Sequence, residues 1–236
     1  MKWHDQGGAI ETALICSALL FDLDGVLVDS RRAVELSWER WAEARGVHNE
    51  FLMKLAHGRR TSESLPEIAP HLDLATEVAF LEKIESEETR GLFPIDGAHA
   101  LLQLLPSDRW AIVTSGSDKV ALSRMRYCGI PKPDVFITAL DVKAGKPAPD
   151  GYLAAAAKLG VPPEECVVVE DTRAGIASGK AGGMKVVAVE GTEKLADLVK
   201  ADVVARKLSD IKVEQLAEGR MKIMVVGAAN EVGSRR

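Results

Sequence analysis

A chain of 236 residues, 47% hydrophobic and 28% charged, is long enough to bury a full core and ordinary in composition for a soluble globular protein. Its formal net charge of −5 argues against nucleic-acid binding by bulk electrostatics, yet leaves room for an anionic ligand held by local donors. No apolar stretch is long enough to span a membrane, and three cysteines (Cys16, Cys128, Cys166) without metal spacing or pairing pattern fit a reducing, cytoplasmic setting. A monomer or weak dimer is expected, with no nucleic-acid or membrane partner.

Residues 1–14 carry charges and glycines but no secretory apolar core, and read as a disordered lead. The run Leu19-Leu20-Phe21-Asp22-Leu23-Asp24-Gly25 then reads as a short buried strand that delivers two acids into a glycine-marked turn. Two carboxylates at the end of a buried strand are costly unless paired or metal-bound. A solvated turn fits the same letters.

From Ser30 to about Pro94 helical periodicity takes over. Ala33, Leu36, Trp41 and Ala44 give one helix an apolar side, and Gly46 ends it. Further helices are expected at Asn49 to Ala56, Thr61 to Ile68 and Leu74 to Arg90. Trp38 and Trp41 read as packing between helices, and the glutamates of the last helix as a solvated face. Beyond Pro94 short apolar runs alternate with helices. Strands are expected at Trp110 to Val113, Val135 to Ile137, Cys166 to Val169 and Lys185 to Val189. Helices are expected at Ala98 to Leu105, Asp118 to Tyr127, Pro149 to Leu159 and Ala174 to Ala181. Such alternation implies an α/β fold with a doubly wound, Rossmann-like parallel sheet. The helical block 30–94 interrupts it, and so reads as an inserted cap between core segments 15–29 and 95–217. Arg206 to Gly219 is loosely patterned, Met221 to Val226 reads as an edge strand, and 218–236 as a C-terminal strand and frayed tail.

In open α/β sheets ligands bind beyond the carboxyl ends of the strands. Asp22 and Asp24 follow one strand, Thr114, Ser115 and Gly116 the next, and Glu170 and Asp171 a later one, with Lys146 in the loop Gly145-Lys146-Pro147-Ala148-Pro149. Alone, Thr114-Ser115 fits a helix cap, Lys146 a solvated lysine and Glu170-Asp171 a capping turn. Together they describe one pocket, in which a hard divalent cation such as Mg2+ would relieve carboxylate repulsion. A carboxylate there can attack phosphorus while a second acid moves the proton. Thr114, Ser115, Gly116 and Lys146 would bind phosphoryl oxygens.

Asp22-Leu23-Asp24-Gly25-Val26, Thr114-Ser115, Lys146 and Glu170-Asp171 resemble, in order, the four motifs of the haloacid dehalogenase superfamily. The resemblance runs from about Ser17 to Glu190. Within the superfamily the chain resembles the capped sugar-phosphate phosphatases, and Ile112 to Ser117, Gly145 to Asp150 and Val167 to Asp171 look particularly like bacterial hexose-phosphate and fungal 2-deoxyglucose-6-phosphate and glycerol-phosphate phosphatases. The resemblance implies magnesium as cofactor, Asp22 as nucleophile and ligand, and Asp24 as acid/base that ligates through its carbonyl. It also implies Asp171 as a further ligand and Glu170 as an outer or alternate one. A small phosphorylated sugar or polyol is the implied substrate. Dehalogenases lack an acid at Asp24, so its presence favours phosphoryl transfer. The related β-phosphoglucomutases carry a histidine where this chain has Val34, which favours water as acceptor over a mutase. A non-catalytic phospho-aspartate signalling module would lack both the cap and Asp24. In the cap, His57-Gly58-Arg59-Arg60-Thr61 offers a basic pair, Arg59 and Arg60, able to reach substrate oxygens or to remain a solvated loop.

Overall fold

The structure, a computed structural model, describes residues 2–4, 10–47 and 59–226. The chain begins with strands β1 (Lys2–His4), β2 (Ile10–Cys16), β3 (Ala18–Phe21) and β4 (Val28–Asp29). Helices α1 (Arg31–Arg45), α2 (Thr61–Ile68) and α3 (Leu74–Glu87) follow, and β5 (Phe93–Pro94) returns to pair with β4. After α4 (Ala98–Gln103) come β6 (Trp110–Val113), α5 (Asp118–Cys128), β7 (Val135–Ile137) and α6 (Asp150–Leu159). The chain then forms β8 (Cys166–Glu170), α7 (Arg173–Ala181), β9 (Lys185–Val189), β10 (Val203–Ala205), β11 (Ile211–Gln215) and β12 (Met221–Val225).

Six strands form a parallel sheet in the order β10-β9-β8-β3-β6-β7, the expected doubly wound arrangement. Its strands are apolar on both sides because both faces are covered. Ala18, Leu20, Ala111 and Val168 point towards Tyr152, Ala155 and Ile176 of α6 and α7. Leu19, Phe21, Ile112 and Val169 point the other way, towards α4, α5 and a second sheet. Phe21 pairs with Ile112 on one side and Val169 on the other. The residues that follow these three strands are therefore brought level at one edge of the sheet, which places the site.

The second sheet was not expected. It is antiparallel, in the order β1-β2-β12-β11. Part of the supposed disordered lead, Ile10 onward, is thus a strand, and Lys2–His4 pairs with it. Met221–Val225 lies between β2 and β11 rather than at an edge, with Met221, Ile223 and Val225 buried in the core it shares with the parallel sheet. The loosely patterned stretch before it contains β11. Buried and half-buried residues alternate along β12, and in β11 only Ile211 is buried, so the apolar signal is diluted.

Helices α1, α2 and α3 bury a small core of their own, including Val34, Trp38, Trp41, Leu65, Ile68, Leu81 and Ile84. Trp38 and Trp41 meet edge to face with centroids 5.8 Å apart, as the spacing predicts. The helix expected at 49–56, and His57 and Gly58, lie outside the described residues. The glutamates of α3 and of its C-cap, Glu88, do not form a uniformly solvated face. Glu77, Glu85 and Glu88 are buried, each against an arginine: Arg45, Arg124 and Arg90. Glu77 accepts from Trp41 Nε1 and Arg45 Nε at 2.8 Å each, and these bonds outweigh the upward push of burial and hold its carboxyl low. Among the described residues no helix is long and apolar enough to cross a membrane.

Trp41 thus contributes both bulk and a hydrogen bond to the small core. Trp41→Ala should cost about 3–5 kcal/mol, and Trp41→Phe, which keeps a ring and loses the N–H, about 1–2 kcal/mol. Denaturant unfolding of both variants checks the order. Equal costs would show that the Glu77 bond carries the effect rather than packing.

Candidate active site

The carboxyl end of β3 is shaped by its own turn. Asp22 N donates to Val169 O, 3.0 Å away, so the nascent site is tied to β8 at once. The chain then folds back, with Leu27 N and Val28 N both donating to Leu23 O and Gly25 N donating to Val28 O. Gly25 has φ of +85°, and a Cβ there would lie 1.9 Å from Asp171 Oδ2. Only glycine fits both demands.

Lys146 is the centre of the polar cluster. Its Nζ donates to Asp22 Oδ1 at 2.5 Å, Glu170 Oε1 at 2.6 Å and Val113 O at 3.3 Å. Burial alone would lower the Lys146 pKa, but Asp22 and Glu170 reverse that and hold it above its ordinary value. Glu170 is fully buried and saturated. Its Oε1 also accepts from Tyr152 OH, and its Oε2 accepts from Asp171 N, Thr172 N and Thr172 Oγ1. The Tyr152 hydroxyl is pushed up, first by burial and then by Glu170.

Asp171 is different. Oδ2 accepts from Thr192 N at 2.7 Å, while Oδ1 is buried with no hydrogen-bond partner. Burial, then Glu170, pushes its carboxyl up to about 7. Asp22 is likewise raised well above the carboxylate range by burial, against the pull of Lys146. One ligand oxygen from each of Asp22, Glu170 and Asp171 lies within 4.8 Å of the others. Three carboxylates face one ammonium, leaving two formal negative charges when all are ionised. The orphaned Asp171 oxygen and this surplus suit a hard divalent cation taken by Asp22 and Asp171. Glu170 has little capacity left for it, since both its oxygens are already engaged.

Asp22, Asp24, Thr114, Ser115, Gly116 and Lys146 line one cavity between the sheet edge and the helices of 30–94. Thr114 is buried, and its Oγ1 accepts from Gly116 N at 3.0 Å, shaping the turn before α5. Val34 and Arg59 line the same cavity from the helical block 30–94, with Arg59 also donating to Glu67 Oε1. Arg60 does not join them. Its backbone is extended just before α2, and its guanidinium donates to Val142 O and Lys143 O at 3.3 Å each. It fastens the start of α2 to the loop that carries Lys146. Sequence reasoning missed Arg124 and Glu85, which line the cavity beside Asp24. A lone arginine among Val120, Ala121, Met125 and Cys128 on the buried side of α5 was the available signal.

Comparison with known proteins agrees with this geometry. Residues 16–183 match the family described as haloacid dehalogenase-like hydrolase. The chain belongs to that family. It is therefore an enzyme, a hydrolase. It is 44% identical over 209 residues to hexitol phosphatase A of Escherichia coli strain K12, covering 86% of this chain and 97% of that one. Against glycerol-1-phosphate phosphohydrolase 2 of Saccharomyces cerevisiae the identity is 34% over 222 residues, covering 85% and 86%. A crystal structure of CbbY from Rhodobacter sphaeroides in complex with phosphate has the same fold, with a TM-score of 0.70 at 22% identity over 83% of this chain and 96% of that one.

Gly25→Ala should displace the Asp171 carboxylate and weaken divalent-cation binding about 10- to 100-fold. Calorimetric titration with magnesium reads this, and circular dichroism checks that the fold persists. Unchanged affinity in a folded variant would remove Asp171 from the cation site.

Proposed function

We propose that this hydrolase cleaves phosphate monoesters of small sugars or polyols through an aspartyl-phosphate on Asp22, with magnesium as its cation. The observation that carries the reading is the pinning of Asp22 by Lys146 next to the orphaned Asp171 oxygen, in a cavity shared with Thr114, Ser115 and Gly116. Magnesium, when bound, supplies the positive charge that keeps Asp22 and Asp171 ionised and steadies the phosphoryl oxygens.

The chain's own groups divide the rest. Lys146 orients the Asp22 carboxylate and offsets charge on the transferring group, and Glu170 in turn orients Lys146. Thr114, Ser115 and the N–H groups before α5 hold the phosphoryl oxygens. Asp22 attacks phosphorus as the ester P–O bond breaks, and Asp24 gives its proton to the departing oxygen. A water then gives a proton to Asp24 and attacks the same phosphorus. The P–O bond to Asp22 breaks, and the free carboxylate is restored.

The substrate class rests on relatives whose names specify a hexitol phosphatase and a glycerol-1-phosphate phosphohydrolase. Hydrolysis is favoured over a phosphosugar mutase because Val34, apolar and buried, lines the cavity where a proton-carrying cap residue would be needed to activate a sugar hydroxyl. Residues 30–94 serve as the specificity cap, with Arg31 and Arg59 as basic residues that line the cavity. Three free, buried cysteines accord with a reducing cytoplasm; burial pushes Cys16 to about 12 and Cys166 to about 11.

Phosphate release from hexitol, hexose and glycerol phosphates with magnesium tests this. Turnover is expected with at least one class, should stop on chelation and return with magnesium, and should fall to background in Asp22→Asn. Activity that survives Asp22→Asn or exhaustive chelation would contradict the mechanism.

A further inference from the structure

We infer that Arg124 is a positioning residue that aims Asp24 at the leaving group, and that Glu85 of the cap helix sets where its guanidinium stands. The inference rests on Asp24 being the proton donor. Arg124 lies on α5, in the core, a hundred residues beyond Asp24. It is 5% exposed, and its Nη1 donates to Asp24 Oδ1 at 2.9 Å. Its Nη2 donates to Glu85 Oε1 at 3.4 Å, and its Nε has no hydrogen-bond partner. Two carboxylates therefore tether this guanidinium, one from the β3 turn and one from the cap.

A buried arginine held this way is a poor stabiliser, because removing its charge from water costs as much as the pairing returns. Its geometry is better explained by what it does to Asp24. The Asp24 side chain is 26% exposed, so without a partner its carboxylate would be free to rotate in the cavity. Arg124 fixes Oδ1, which leaves Oδ2 as the oxygen that carries the proton. The guanidinium keeps its own charge throughout and transfers no proton itself.

The cap end of the tether is also fixed. Ser123 Oγ, one residue before Arg124, donates to Ser86 O at 2.6 Å, one residue after Glu85. Adjacent pairs on α3 and α5 thus lock these helices together at the cavity wall. The orientation of the acid is in this way coupled to the seating of the cap, which a core residue alone would not achieve.

The test compares kcat for glycerol 1-phosphate, whose alkoxide needs a proton to leave, with kcat for p-nitrophenyl phosphate, whose phenolate does not. Arg124→Met should lower the ratio of the two at least about tenfold, and up to the ~10²-fold typical of a misplaced group, with the glycerol phosphate KM changing far less than kcat. Arg124→Lys should recover part of the ratio. Glu85→Gln should lower it in the same direction but less. In an Asp24→Asn background, Arg124→Met should change the ratio no further. If Arg124→Met does not fold, the lysine and glutamine variants carry the comparison. Equal losses on both esters, an unchanged ratio, or full additivity with Asp24→Asn would overturn the inference. A wild-type enzyme that hydrolyses neither ester would overturn the phosphatase reading itself, and the role of Arg124 with it.

Discussion

Lys146 stands between Asp22 and Glu170 at 2.5 and 2.6 Å, and the rest of the site is arranged around that pairing. A buried ammonium between two buried carboxylates contributes little net stability, because desolvation offsets the attraction. What it provides is position. Glu170, saturated by Tyr152, Thr172 and two backbone N–H groups, cannot move, so Lys146 cannot, and Asp22 is held in turn. Gly175 is required for this stack, since a Cβ there would overlap the Glu170 carboxylate. The charge that Lys146 leaves unbalanced falls on Asp171, whose unpartnered oxygen is where a cation has most to gain.

This arrangement depends on strand order more than on any loop. With β3 flanked by β6 and β8, three strand ends open side by side. Asp22, Thr114 and Glu170, far apart in sequence, become neighbours without further contrivance. That is why most of the site could be read directly. A polar residue following a short apolar run marks a strand end, and in a parallel sheet strand ends share one edge. The Asp22, Asp24, Thr114 and Asp171 positions yield to this reasoning, while Lys146 lies further along the loop after β7.

Other parts were hidden for identifiable physical reasons. β2 and β12 pair across some two hundred residues, and β12 alternates buried with half-buried residues, so neither local composition nor a nearby turn announces them. Arg59 and Arg60 are indistinguishable as letters. Only the docking of α2 against the loop of Val142 and Lys143 sends Arg60 to carbonyl oxygens and leaves Arg59 at the cavity. The glutamates of α3 and its C-cap look alike in the chain, yet Glu77, Glu85 and Glu88 meet separate arginines. Contacts of that kind are set by helix packing and lie beyond periodicity. The result is one cavity lined by strand ends on one side and by Val34, Arg59 and Glu85 of the helical block 30–94 on the other.

The central claim is that Asp22 itself takes the phosphoryl group. Rapid quench of the wild-type enzyme turning over a sugar phosphate with magnesium, followed by borohydride reduction and peptide mass spectrometry, tests it most directly. The account predicts conversion of residue 22, and of no other aspartate, to homoserine, in proportion to enzyme caught during turnover. Steady phosphate release with Asp22 unmodified at every quench time, or modification at Asp24 instead, would contradict it.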